Sequence, residues 1–230
     1  MRIGVLSFPG SNDARDAERA VTFSGGEAVS LWYNDADLST VDAIVIPGGW
    51  TYGDYMRAGA IAAMDPVLRQ VSDAADAGKP IIGIGNGFQI LAAAEILPGS
   101  FTLNEGQKFL RRDVAVTIEQ TSSVWTRNFS DGEEIILPLR SEFGRYVVDD
   151  ETLKLLEDSE RIAARFVGEN PTGSVANIAG ILNDRGNVLG ILPHPEFAVE
   201  AGFGPDAPGA MRSGIDGARF FDSVLGVVNA

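Results

Sequence analysis

The chain has 230 residues, of which 45% are hydrophobic and 22% are charged, a balance typical of a globular protein with a sizeable core. It contains no cysteine and one histidine, which excludes disulfides and thiolate metal sites and argues against an imidazole-based metal site. The net charge of −14 argues against a nucleic-acid partner, because phosphate recognition requires a clustered positive surface. We therefore expect no metal and no cofactor.

No apolar stretch approaches the roughly 18 residues that suggest a membrane span. The apolar part of residues 1–12 is too short for a signal peptide and indicates a first strand instead. We expect a cytoplasmic protein without a membrane partner, folded as one domain over residues 1–230.

Strand and helix signals alternate through the first half of the chain. They predict strands at residues 3–7, 28–32, 41–46 and 81–84, and helices at 13–22, 61–77 and from 88 onward. This alternation predicts an α/β fold with a mostly parallel sheet and helices on both faces. Ligands bind beyond the carboxyl ends of such strands, where the loops at Gly10, Gly49 and Gly85 fall, so one active face is expected.

The second half of the chain no longer alternates between strand and helix signals. Residues 114–118, 135–139 and 145–148 predict strands, the last two as a pair, which indicates a small antiparallel extension. Residues 178–182 and 188–192 predict a hairpin around the polar turn 183–187. Residues 217–227 predict a terminal helix.

The stretch GIGNGFQIL at residues 83–91 predicts a sharp turn from a strand into a helix. In hydrolases built this way, the residue at the apex is the nucleophile. The apex here is Gly85, which has no side chain. Gly83 and Gly87 permit close backbone approach, and the N–H of Asn86 points toward anything bound above Gly85.

The single histidine lies in LPHPEFAVE, residues 192–200, after an apolar strand. Pro195 favours an extended conformation at His194, so His194 and Glu196 are expected on one side of the chain. A lone histidine is more often structural than catalytic. Its position at a strand end, with a carboxylate two residues later that can orient the imidazole, favours a catalytic role here.

A third element is PGGWTYGDYMRAG at residues 47–59. Two glycines after a buried strand are usually only a turn, but their backbone N–H groups could complete an oxyanion hole with Asn86. The more specific signal is the order along the chain, with a Gly-Gly loop, then an elbow, then a distant His-x-Glu.

These motifs, together with FPGSN, NPTGSVANIAGILNDRGNVLGILPHPE and DGARFFDSVL, resemble the glutamine amidotransferase (small) subunit of phosphoribosylformylglycinamidine synthase, which acts in purine biosynthesis. The resemblance covers nearly the whole chain, and TSSVWTRNF is similar to the actinobacterial branch. It implies the class I glutamine amidotransferase fold and a Cys–His–Glu triad that hydrolyses glutamine. It also implies a large ATP-dependent synthase subunit that receives the ammonia.

Position by position, the resemblance implies that His194 is the base and Glu196 the orienting acid. It places Gly49, Trp50, Asn86 and Gln89 in the glutamine and oxyanion site, and it places the nucleophile at Gly85, where it is absent.

Other positions also depart from the family. Glu142 and Phe143 replace a Gly-Glu pair, Trp50 replaces a usual Phe, and Tyr33 a usual His. Asp13 and Arg111 stand where many relatives carry cysteine.

Three interpretations remain. The chain could be an engineered knock-out of a glutaminase, or a natural pseudo-amidotransferase that binds a partner or glutamine, including one diverged for a specialised pathway. The elbow could also be a dinucleotide-type phosphate loop, but Phe88 stands where that fingerprint requires glycine. Because several departures cluster around the site, we favour natural divergence with loss of glutaminase activity.

Overall fold

The structure is a computed structural model that describes residues 1–200 and 214–226. The strands are β1 (Arg2–Ser7), β2 (Glu27–Trp32), β3 (Ala43–Ile46), β4 (Ile81–Ile84), β5 (Ser100–Thr102), β6 (Leu110–Ile118), β7 (Glu133–Ser141), β8 (Arg145–Val147), β9 (Ile162–Phe166), β10 (Ile178–Leu182) and β11 (Val188–Ile191). The helices are α1 (Ala14–Phe23), α2 (Ala60–Ala63), α3 (Val67–Asp76), α4 (Asn86–Ala93), α5 (Asp150–Asp158) and α6 (Ala218–Leu225). In this part of the chain, no helix is both long and apolar enough to span a membrane.

A nine-stranded sheet organises the fold, in the order β2-β1-β3-β4-β11-β10-β9-β6-β7. The first five strands pair in parallel, and the remaining pairs are antiparallel. Every residue of β3, β4 and β11 is buried, as expected for central parallel strands covered on both faces. The predicted parallel sheet with an antiparallel extension is therefore present, and the extension comprises four strands.

The predicted pairing of residues 135–139 with 145–148 is wrong. Strand β7 pairs with β6, whereas β8 pairs with β5 in a separate two-stranded sheet. The buried side chain of Asn104 explains the separation, because it donates to the carbonyl of Ser141 and accepts from the N–H of Gly144, both at 2.8 Å. Asn104 therefore holds the turn between the two strands and directs β8 away from β7.

The single helix predicted over residues 61–77 is also wrong, because the segment divides into α2 and α3. Pro66 lies at the start of α3, where a missing N–H is tolerated, and a proline disfavours helical geometry in the residue before it. The side chain of Asp65 accepts from the N–H of Val67 at 3.1 Å, which starts the new helix.

The predicted hairpin is confirmed, since β10 and β11 pair antiparallel. Asn183 accepts from the N–H of Val188 at 3.0 Å and donates to Asn187 at 2.9 Å, which closes the turn. The terminal helix is present as α6, while residue 227 of that prediction lies outside the described residues, as do 201–213 and 228–230 of the predicted domain. Helix α5 and strands β5 and β9 were not predicted.

Candidate functional site

The elbow between β4 and α4 has the geometry that its glycines predict. Gly85 has φ +52° and ψ −110°, a conformation that side-chain-bearing residues rarely adopt. A Cβ on Gly87 would lie 1.9 Å from the carbonyl oxygen of Ile46 in β3, so this position admits no side chain. The chain can therefore turn sharply only because both positions are glycine.

His194 and Glu196 meet just beyond the end of β11. His194 Nδ1 lies 2.8 Å from Glu196 Oε1, and both side chains are buried. His194 has φ −107° and ψ +89°, outside the regular extended region, and the chain then forms a 3-10 turn at Pro195–Phe197. The extended segment that we predicted is therefore wrong, although the two side chains still meet. The N–H of His194 donates to the carbonyl of Pro138 at 2.7 Å, which ties the segment to β7.

The imidazole of His194 lies directly against Gly85. A Cβ on Gly85 would be 2.7 Å from Cε1 and 2.8 Å from Nε2 of the ring. The same ring nitrogen, Nε2, also lies 3.2 Å from the carbonyl oxygen of Arg140. A carbonyl oxygen can only accept, so Nε2 carries the proton of this hydrogen bond. The ring therefore fills the space over the elbow and turns an N–H, not a lone pair, toward Arg140.

Asp13 is a further member of the site that the sequence showed only as a departure from the family. Its Oδ2 lies 3.7 Å from His194 Nδ1, and its Oδ1 lies 3.5 Å from Nη1 of Arg140. Asp13 is buried immediately before α1, and its N–H donates to the carbonyl of Gly48 at 3.2 Å. The loop after β1 thus places a second carboxylate beside the imidazole.

The pKa values of His194 and Glu196 are both raised in this cluster. Burial of the imidazole opposes protonation, but the carboxylates of Glu196 and Asp13 outweigh burial and raise the pKa of His194 above its ordinary value. Burial, reinforced by the charge of Asp13, raises the pKa of Glu196. The two shifts therefore differ in cause, because burial dominates for Glu196 and the neighbouring carboxylates dominate for His194.

The Gly-Gly loop after β3 lies beside the elbow, as predicted. Gly49 has φ +147°, and a Cβ there would be 2.3 Å from the carbonyl oxygen of Gly10. The N–H of Trp50 donates to that same carbonyl at 2.9 Å, and the N–H of Thr51 donates to Asn86 Oδ1 at 3.1 Å. Gly49 and Asn86 line one pocket. Their role as an oxyanion hole stays a prediction.

Side chains of α4 connect the elbow to the pocket. Asn86 Nδ2 donates to Gln89 Oε1 at 2.8 Å and to Asp54 Oδ1 at 3.1 Å. Gln89 Nε2 donates to the carbonyl of Phe143 at 2.7 Å. The side-chain amides of Asn86 and Gln89 are thus committed to protein partners, and the part of these residues in binding glutamine stays a prediction. They fix the position of the loop that carries the replacements at 142 and 143.

The pocket is acidic and has an aromatic rim. It is lined by Asn12, Asp13, Gly49, Trp50, Asp54, Asn86, Gln89, Phe109, Arg140, Ser141, Glu142 and Phe143. The rings of Trp50 and Phe109 lie 5.4 Å apart, and each is about two-fifths exposed, at 42% and 41%. Two other departures lie elsewhere, with Tyr33 stacked on Phe8 and Arg111 exposed on β6.

Asp54 is a titratable group of the pocket that sequence reasoning missed. Burial and the nearby charge of Glu142 raise its pKa to about 6, although hydrogen bonds from Asn86 and from the N–H of Gly59 act in the opposite direction. Its position in the tight turn after the Gly-Gly loop was the only sequence signal that could have indicated it.

Comparison with known proteins agrees with this geometry. Residues 1–225 match the family of CobB/CobQ-like glutamine amidotransferase domains. The chain is 49% identical to phosphoribosylformylglycinamidine synthase subunit PurQ of Leifsonia xyli subsp. xyli, over 98% of this chain and 97% of that relative. It is 50% identical to the same subunit of Rhodococcus jostii, over 97% of this chain and 96% of that relative.

Solved structures agree with both the fold and the family. A chain in the structure of PurLQS from Thermotoga maritima matches with a TM-score of 0.86 and 38% identity, over 98% of this chain and 97% of that chain. A putative GMP synthase component from Thermoplasma acidophilum, 18% identical with a TM-score of 0.62 over 99% of this chain and 93% of that chain, shares the fold. The predicted class I glutamine amidotransferase fold is thereby confirmed, and the chain belongs to the PurQ family of glutamine amidotransferase subunits.

Proposed function

We propose that this chain is a subunit of a phosphoribosylformylglycinamidine synthase-type assembly that does not itself hydrolyse glutamine. The observation that carries the proposal is the relation of His194 to Gly85. The elbow offers no nucleophile, and the ring that should activate one occupies the space of the missing side chain. The relatives are PurQ subunits, which supports the assembly, and the acidic, solvent-open pocket supplies the place for a ligand.

Glutamine hydrolysis by this chain would fail at two separate steps, the attack on the side-chain amide and the proton transfer to the histidine. Covalent glutamine hydrolysis requires a thiolate that attacks the side-chain amide, and glycine provides no attacking atom. The histidine must also accept a proton at the nitrogen that faces the nucleophile, yet Nε2 of His194 donates to the carbonyl of Arg140. In a serine protease without its triad, binding and the oxyanion hole alone retain roughly 10³-fold over water. A residual rate enhancement of that size in this chain would be far too small to supply useful amounts of ammonia.

We propose natural divergence as the origin of this state. Asp13, Glu142 and Phe143 all depart from the family pattern, and all line the same pocket as the elbow residue Asn86. A single engineered replacement of the nucleophile would leave these three positions unchanged. In this proposal the partner is a large ATP-dependent synthase subunit, and the location is cytoplasmic, as we expect from the sequence.

The alternative function is a binding subunit that retains glutamine without cleaving it. The pocket residues Gly49, Trp50, Asn86 and Gln89 remain in place and support this possibility. A phosphate-loop function receives no support, because the carboxylates of Asp13, Asp54 and Glu142 line the pocket and would repel a phosphate.

The test is glutamate release from glutamine by the purified chain, alone and with the large subunit of its host. The PurQ subunit of a relative that carries cysteine at the elbow serves as the positive control. We expect release at background in both conditions. Partner-stimulated release at the rate of the control would overturn the proposal and would mean that a hydroxyl group or another group serves as the nucleophile. Calorimetry with glutamine separates the binding alternative, since heat of binding without glutamate release would support it.

A further inference from the structure

A buried group of three potential metal ligands lies beside the elbow. One ligand atom from each of Asp13, His194 and Glu196 lies within 4.8 Å of those of the other two. His194 Nδ1 is 2.8 Å from Glu196 Oε1 and 3.7 Å from Asp13 Oδ2. Ligands about 2.0–2.2 Å from a common Zn²⁺ ion stand roughly 3.0–3.6 Å apart. The two separations at His194 Nδ1 are close to this range, so modest side-chain shifts would bring the three ligands around one cation.

The tautomer of the histidine suits such a site. Its Nε2 donates to the backbone carbonyl of Arg140 at 3.2 Å, so Nδ1 is the nitrogen whose lone pair is available once its proton is released. Metal-bound histidines usually hold their second ring nitrogen in this way, on a backbone carbonyl or a carboxylate.

A second observation points to a missing ligand. Glu196 is fully buried, and its Oε2 has no hydrogen-bond partner among the described residues. A buried, unpaired carboxylate oxygen is costly unless a proton or a cation compensates it. Arg140 provides one positive charge, but it approaches the other oxygen of Asp13, Oδ1, at 3.5 Å and leaves Oδ2 facing the imidazole.

We propose that Asp13, His194 and Glu196 form a binding site for one divalent transition-metal ion. One imidazole nitrogen and two carboxylate oxygens are ligands suited to Zn²⁺, Mn²⁺, Fe²⁺ or Co²⁺. Asp13 also lines the pocket that opens to solvent, which gives the ion an entry path from the side of Asp13. The inference revises our expectation that a single histidine argues against a metal site. The inference rests on the proposed loss of glutaminase activity, because His194 and Glu196 cannot be metal ligands and also the base and orienting acid of a working triad.

The experiment uses the full chain, stripped with a chelator and then titrated with Zn²⁺ by calorimetry and with Co²⁺ by visible absorption. We expect one equivalent of each metal to bind, and Co²⁺ to show absorption bands of a low-symmetry nitrogen and oxygen site. Asp13→Asn keeps the shape of the side chain but removes its charge, and it should weaken binding by at least about tenfold. His194→Gln should abolish the saturable phase.

Glu142→Gln is the matched control, because Glu142 is a carboxylate of the same pocket outside the cluster. It should leave the affinity unchanged, and circular dichroism should show that all variants remain folded. The absence of a saturable phase in the unaltered chain would overturn the proposal. Equal weakening by Asp13→Asn and Glu142→Gln would also overturn it, because binding would then reflect only the general negative charge of the pocket.

Discussion

His194 occupies the space into which a side chain at Gly85 would point, with ring atoms Cε1 and Nε2 at 2.7 Å and 2.8 Å from the place of the missing Cβ. Separations of this size are well below van der Waals contact, so any larger residue at position 85 must displace the ring. The ring is held by Glu196 at Nδ1 and by the carbonyl of Arg140 at Nε2. The loss of the nucleophile and the placement of the base are therefore coupled.

Gly85→Cys should restore little glutaminase activity. The new Cβ would force the imidazole away from its present hydrogen bonds, and displacement of a catalytic group by about 1 Å can cost roughly a hundredfold in rate. We expect glutamate release by this variant, with the large subunit present, at least about a hundredfold below a cysteine-bearing relative.

The comparison variant combines Gly85→Cys with Glu142→Gly and Phe143→Glu, which restores the family pattern in the adjoining loop. We expect it to release more glutamate than Gly85→Cys alone, because Glu142→Gly removes a charge from the pocket and Phe143→Glu removes an aromatic ring from its lining. Full activity from the single substitution would instead show that only the nucleophile had been removed.

Much of the parallel half of the fold followed from the sequence. The apolar runs of β1, β3 and β4 and the glycines that end them specify buried strands and sharp turns through local chemistry alone. The pairing of β8 with β5 did not follow, because it depends on Asn104, a residue distant in sequence that holds the turn after β7. Local patterns cannot show which distant polar side chain will satisfy a turn.

The residues of the candidate site also divide into those that local sequence patterns predicted and those that depend on distant parts of the chain. The elbow at Gly85 and the pairing of His194 with Glu196 are local in the sequence and could be predicted, but the 3-10 turn at Pro195–Phe197 between the pair was not. Asp13 and Asp54 could not, because each depends on how a separate loop meets the elbow. Their burial and their charged neighbours arise only when three strand ends come together in the folded chain.

Gly87→Ala should destabilise the protein substantially. Its Cβ would lie 1.9 Å from the carbonyl oxygen of Ile46, and neither backbone segment can move without disturbing the centre of the sheet. Overpacking of this kind costs about 1–3 kcal/mol or more. This cost exceeds the stabilisation of about 1 kcal/mol that replacing glycine by alanine brings to a helix interior.

The matched control for this variant is Gly106→Ala, where an added Cβ meets nothing within 4 Å. Urea denaturation monitored by circular dichroism measures both changes. We expect the unfolding midpoint to fall clearly for Gly87→Ala and to change little for Gly106→Ala. Equal midpoints would show that the elbow relaxes more easily than the structure indicates.

Asp54 should make the stability of the protein depend on pH. Its pKa is raised to about 6 by burial and by Glu142, above the ordinary value of 3.8, so between these values the folded state holds a proton that the unfolded state has released. Stability from this group is therefore complete below about pH 4 and is lost as the pH rises through 6. Two pKa units correspond to about 3 kcal/mol, and partial solvent access reduces the expected loss to about 1–2 kcal/mol.

The measurement is the free energy of unfolding of the unaltered chain and of Asp54→Asn between pH 4 and pH 8. The variant should gain stability relative to the unaltered chain as the pH rises from about 4 to about 6, and the difference should level off above about pH 6. Glu142→Gln should lower the pH at which the difference levels off, because one cause of the raised pKa is removed. A difference between the two proteins that stays constant with pH would contradict the assignment.

Met56→Glu should weaken association with the large synthase subunit that our proposed function requires. Met56 and Tyr55 directly follow the pocket residue Asp54 and are 85% and 73% exposed, and Trp50 and Phe109 form the nearby aromatic rim. Exposed apolar side chains grouped beside a pocket indicate a contact surface. A buried charge at Met56 should weaken binding at least about tenfold, which is about 1.4 kcal/mol.

Size-exclusion chromatography with light scattering detects the complex, and biolayer interferometry measures its affinity. Leu155→Glu, at a 56% exposed apolar residue of α5 that does not line the pocket, is the control and should bind as the unaltered chain does. An unaltered chain that stays monomeric in the presence of the large subunit would remove the partner from the proposed function. Equal weakening by both substitutions would show that the added charge, and not a contact at Met56, is responsible.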